Sequence, residues 1–151
     1  MGLIKVRARE FHQEFSLTPY TTGCILAMSG ATRNPADISW EGDSLDVISG
    51  FPDEVKTSLG FELRKVQNGE TPAHCKPLTG IGAGLWELRE QDGQKWYRVA
   101  FMPRRDDKVH VLHSFEKQGN DIPRKDAETI DRRFRAVRAR LLEEKNRGKQ
   151  K

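Results

Sequence analysis

Between Leu85 and Lys117 the chain reads LWELREQDGQKWYRVAFMPRRDDKVHVLHSFEK, with apolar and aromatic residues alternating with charged ones. Strict alternation marks a half-buried strand, because successive side chains leave opposite faces of the backbone. Two breaks interrupt it, Asp92-Gly93 and the stretch Pro103 to Lys108. An Asp-Gly pair between alternating runs predicts a two-residue hairpin turn, since Gly accepts the positive φ that such a turn demands. A meander of three antiparallel strands is therefore expected, and the loops set its register. With Asp92 and Gly93 as the loop, Leu88 is expected opposite Tyr97, Glu87 opposite Arg98 and Trp86 opposite Val99. Closing the second loop symmetrically sets Arg98 opposite His113 and Met102 opposite Val109.

One face of this meander gathers Trp86, Leu88, Tyr97, Val99 and Phe101, and reads as a core face. The opposite face carries Glu87, Arg89, Trp96, Arg98 and Ala100, with His113 and Lys117 on the same parity. So many charges are costly to bury without partners. This face is expected to look toward solvent or a ligand.

The rest of the chain of 151 residues fits one domain with tails. Residues 1–36 lack periodicity and are expected to be a poorly ordered extension or, with Met28-Ser29-Gly30 as a natural start, to have a misassigned start over the first 27 residues. Ile38-Ser39-Trp40 predicts a short edge strand. Asp43 or Ser44 caps a short helix over Leu45, Val47 and Ile48 that ends at Gly50. Pro52 begins a second helix, where Asp53 and Glu54 complement its positive end and Val55, Leu59, Leu63 and Val66 form one apolar stripe. Glu70 to Gly84 reads as a loop. Its Gly80, Gly82 and Gly84 lack the strand, helix and Gly-Lys-Ser/Thr of a phosphate loop, so a flexible turn is the expectation, and Lys76 is a loop lysine able to touch phosphate. After Pro123, Ile130, Phe134, Val137 and Leu141 give a last helix one apolar seam, and Lys145 to Lys151 is expected as a disordered basic tail. The expected fold is α+β, a small antiparallel sheet with helices on one face and the other face left for function.

Composition excludes some classes. Hydrophobic residues make up 36% and charged residues 32%, and no apolar run reaches the roughly 18 residues a membrane helix needs. Lys5, Arg7, Arg9, Glu10 and Glu14 interrupt any signal-peptide core, so no membrane association and a cytoplasmic location are expected. Cys24 and Cys75 are too few and too distant for a zinc signature. The formal charge is +4, yet residues 124–151 hold 11 basic and 5 acidic residues while the preceding 123 hold 15 and 17. The basicity belongs to the last helix, where Arg132 and Arg135 are candidates for contacting RNA.

On the open face, Arg89 and Arg98 offer planar forks of donors that suit phosphate, and Lys117 stands nearby. An imidazole trades a proton readily, so His113 is the expected proton carrier of this face. For RNA the 2′-hydroxyl is an internal nucleophile, so neither metal nor cofactor is required. His110 and His113 leave a strand on opposite faces, which argues against a shared metal. The same residues also fit a plainer reading, with Glu87 and Arg98 as an ordinary cross-strand ion pair and His113 satisfied by the backbone.

The run Trp86-Glu87-Leu88-Arg89, then Tyr97-Arg98-Val99, then Val111-Leu112-His113-Ser114-Phe115-Glu116-Lys117 and a downstream Pro123 resembles the phage-derived, HigB-like branch of the RelE toxin superfamily. Phe51 to Val55 and Lys76-Pro77-Leu78 fit too, and the likeness spans residues 38–144. It implies the toxin of a type II toxin-antitoxin pair: a ribosome-dependent mRNA endoribonuclease silenced by a HigA-like helix-turn-helix antitoxin. By motif, Arg98 corresponds to the arginine on the scissile phosphate, Arg89 to a basic strand residue and Lys117 to the basic residue after the last strand. Two positions depart from the pattern: Gln118 replaces a second basic residue, and Glu87 stands where relatives carry lysine. A non-catalytic module that binds RNA or an antitoxin is the alternative expectation, favoured by Gln118.

Overall fold

The computed structural model describes residues 34–105, 107–117 and 119–150. Expectations placed on residues 1–33, on Cys24 and on Gln118 lie outside the described residues. The elements run β1 (Asp37–Trp40), α1 (Ser44–Ser49), α2 (Asp53–Gln67), β2 (Cys75–Pro77), β3 (Trp86–Asp92), β4 (Lys95–Arg105), β5 (Lys108–Lys117) and α3 (Arg124–Lys149). The five strands form one sheet in the order β1-β5-β4-β3-β2, antiparallel except where β1 lies parallel to β5. The fold is α+β, as expected.

The hairpin register differs from the expected one by two positions. Asp92 pairs with Lys95, Arg89 with Arg98, Leu88 with Val99 and Trp86 with Phe101. Gly93, with φ of 62°, is the first central residue of the turn and Gln94 the second, the arrangement of a type II′ hairpin. A slip of two leaves parity unchanged, so both faces keep the residues expected of them. The second hairpin is tighter than expected. Strand pairing continues to Arg105 opposite Lys108, Arg98 stands opposite Phe115 rather than His113, and Met102 opposite His110 rather than Val109. A bulge accounts for part of this shift: Ala100 pairs with His113 and Phe101 with Val111, leaving Leu112 as the extra residue. The expectation that His110 and His113 leave β5 on opposite faces is corrected, because the bulge sets both on the side of Ala100 and Met102.

α1 and α2 cover the face that carries Leu88, Tyr97, Val99 and Phe101, with the predicted stripe of Val55, Leu59, Leu63 and Val66 buried against it. Ala36 belongs to this core, and its backbone N–H donates to Gln67 O at 2.9 Å. The expectation that the opposite face is bare is corrected. α3 packs on it, burying Ile130, Phe134 and Val137 against Ala100, Met102, Leu112 and Phe115. Helices thus lie on both faces. The expected disordered tail is also corrected, because Lys145 to Lys149 continue α3.

Two glycines permit this docking. Gly42, with φ of 57°, lies beneath the Arg133 guanidinium, and a Cβ there would stand 2.4 Å from its Cζ. A Cβ on Gly82 would stand 2.4 Å from Phe134 Cε1. The glycine-rich loop therefore supplies a floor for an aromatic ring, a packing role that no phosphate-loop pattern describes. Arg133 donates to Leu112 O at 2.9 Å and to Asp43 Oδ1 at 2.7 Å, which fixes α3 to the bulge and to the start of α1.

Candidate anion-binding site

Glu87, 0% exposed, is the one buried carboxylate among the described residues, and it stands among several cations on the α3 side of the sheet. Arg98, 2% exposed, donates from Nη1 to Glu87 Oε1, and Arg89 Nε stands 4.0 Å from the same oxygen. Arg89 and Arg98 are direct cross-strand partners. Lys76 joins them from an unexpected place. It is on the edge strand β2, directly opposite Glu87, rather than in a loop. A three-residue strand offers too few positions for a period to register.

Lys117, opposite Trp96 and diagonal to Arg98, is 3% exposed. Its Nζ has no hydrogen-bond partner among the described residues, and neither do Arg98 Nε, Arg89 Nε and Glu87 Oε2. Burial pulls the Lys117 ammonium below the usual lysine range, the Arg98 charge pulls it further, and Glu87 and Asp121 act in the opposite direction. The Arg98 guanidinium lies 5.9 Å from the centre of the Trp96 ring. Four cations, Lys76, Arg89, Arg98 and Lys117, therefore share one buried carboxylate, Glu87, with Asp121 acting on Lys117 as well. Buried donors without acceptors are costly, and an oxyanion supplies what this set lacks: several acceptor oxygens and negative charge.

His113 shares the face but is engaged elsewhere. Its Nε2 lies 2.8 Å from Asp126 Oδ1 and its Nδ1 lies 3.3 Å from Arg133 Nη1. A guanidinium only donates, so Nδ1 accepts and Nε2–H donates to Asp126. Both nitrogens thus bind α3, and Phe115, stacked on the imidazole at 5.4 Å, is the residue opposite Arg98. Arg132 and Arg135 are exposed on α3, the latter paired with Asp131 at 3.0 Å. Among the described residues no three His, Cys, Asp or Glu converge on a cation position. Burial raises the half-buried Cys75 thiol to about 11, which keeps it protonated and a poor nucleophile at neutral pH.

The family model Phage derived protein Gp49-like (DUF891) matches residues 46–135, more than half of the chain, including every strand of the site and the first half of α3. The chain belongs to this phage-derived, toxin-like family. No curated protein matches the chain.

Proposed function

We propose that the protein is the toxin of a type II toxin-antitoxin pair, of the HigB-like kind, and that it cuts mRNA on the ribosome by internal attack of a 2′-hydroxyl. The observation that carries this reading is the buried, unpartnered Lys117 Nζ beside Arg98. With Arg89 and Lys76 it makes a set of donors suited to one phosphodiester. Arg98 and Arg89 would hold the nonbridging oxygens, a type of stabilisation worth roughly 3 to 4 kcal/mol per donor in the transition state.

The reaction forms a bond from O2′ to phosphorus and breaks the bond from phosphorus to O5′, leaving a 2′,3′-cyclic phosphate and a 5′-hydroxyl. One proton must leave O2′ and one must reach O5′. Lys117, made more acidic by burial and by Arg98, is suited to protonate O5′. Glu87 Oε2, which has no partner among the described residues, is suited to accept the proton of the 2′-hydroxyl. His113, the proton carrier expected from the sequence, is in this reading a positioning residue that holds α3 in place.

The partners follow from the same reading: ribosome, mRNA and a HigA-like helix-turn-helix antitoxin in the cytoplasm, with exposed Arg132 and Arg135 meeting ribosomal RNA. One observation favours a binding module instead, since Glu87 already neutralises Arg98 in the free protein. Induced expression in a bacterial host separates the two. Growth arrest with new mRNA ends carrying 5′-hydroxyls supports cleavage, whereas abundant soluble protein without new ends supports binding alone.

A further inference from the structure

A second charged region lies at the far end of the sheet. Arg105 ends β4, seven residues past Arg98, or about 23 Å along an extended strand. There α3, the end of β4 and the Ala83-Gly84 loop leave a groove of about 850 Å³. Met102, Phe134 and Leu141 line it, and Leu142 stands at its edge with 58% of its surface exposed. Arg105, Arg138 and Lys145 flank these apolar groups against a single acid, Glu144.

An adjoining recess of about 240 Å³ shares Arg105, Leu141 and Glu144 and reaches His110. His110 Nδ1 lies 3.3 Å from Glu41 Oε1. A carboxylate accepts, so Nδ1–H donates and Nε2 is left as an acceptor. This buried Nε2 has no partner among the described residues.

Apolar lining, a cationic rim and an unused acceptor specify an occupant. RNA fits poorly, because base stacking needs an open aromatic face and the Arg138 guanidinium lies 5.4 Å from the centre of the Phe134 ring. A peptide with one apolar and one acidic face fits all three features. We propose that this groove docks an acidic amphipathic segment of a partner protein. Its apolar side chains rest on Leu142, Leu141 and Met102, its carboxylates meet Arg105, Arg138 and Lys145, and an N–H or hydroxyl donates to His110 Nε2. The proposal stands apart from the phosphate site and does not depend on it.

The test is selection of a random 16-residue peptide library, displayed on phage, against the full chain with counter-selection on Leu142→Asp. Leu142 is exposed, so this variant keeps its fold. Enriched peptides are expected to be net negative, with Leu, Ile or Phe at helical spacing. Leu142→Asp and, separately, Arg138→Glu are expected to weaken them about tenfold or more. A 12-nucleotide single-stranded RNA is expected to bind the wild type and Leu142→Asp alike. Three results overturn the proposal: neutral or basic peptides, no enrichment over the Leu142→Asp counter-target, or RNA binding that itself falls tenfold in Leu142→Asp.

Discussion

Arg89 and Arg98 face each other directly across β3 and β4, and the buried Glu87 carboxylate lies within 4.0 Å of both side chains. Like charges in a cross-strand pair are destabilising, so Glu87 both holds Arg98 in place and lowers the mutual repulsion. The pair is held preorganised by its own carboxylate, which keeps it foldable, as the proposed anion site requires.

Removing that carboxylate should therefore cost stability. Glu87→Ala is expected to lose about 3 to 5 kcal/mol in urea unfolding, as for other buried ion pairs deprived of one partner. Sulfate, by occupying the arginines, should restore part of the loss, and should help the variant more than the wild type.

Lys117 imposes a cost that depends on pH. Burial holds its pKa in the folded chain below the ordinary lysine value, so the unfolded chain binds more protons between the two values and stability rises with pH through that window. The penalty is complete below the folded pKa and fades toward the unfolded one. Lys117→Met should thus be more stable than the wild type at pH 7 by roughly 1 to 3 kcal/mol. The difference in melting temperature should shrink as pH climbs toward 10, and a constant difference would contradict the burial argument.

Gly82→Ala probes the docking of α3. The added methyl meets Phe134 Cε1 at 2.4 Å, and overpacking of this kind costs about 1 to 3 kcal/mol. Hydrogen exchange should quicken in α3 and on β5 while α2, packed on the other face, keeps its protection.

How much of this could be read from the sequence depends on which residue is asked. The faces of β3 and β4 were legible because side-chain parity survives the two-residue slip at Gly93-Gln94, whereas on β5 the bulge at Leu112 reverses parity and brings His110, expected on the face opposite to His113, onto the same one. Glu87 was visible as a departure from the family pattern, yet its place between two arginines needed the true register. Lys76 was misread because β2 is too short to show a period. The covering of the charged face by α3 was illegible: Ile130, Phe134 and Val137 announce an apolar seam but not the face it meets, and Gly42 and Gly82, which make room for Arg133 and Phe134, look like ordinary turn residues.

His113 offers a further check on chemistry. A general base contributes about 10²- to 10⁴-fold, so if Glu87 rather than His113 takes the proton, His113→Gln should retain cleavage within about tenfold of the wild type. A hundredfold loss with α3 still docked would return that role to the imidazole.

The central claim is that Arg98 and Lys117 act on a phosphodiester, and single-turnover cleavage of ribosome-bound mRNA by purified protein tests it most directly. Wild type should yield 5′-hydroxyl and 2′,3′-cyclic phosphate ends. Arg98→Lys and Lys117→Met, both folded by circular dichroism, should each be slower by about a hundredfold or more. Cleavage at the wild-type rate in both variants, or no cleavage by the wild type on programmed ribosomes, would contradict the account.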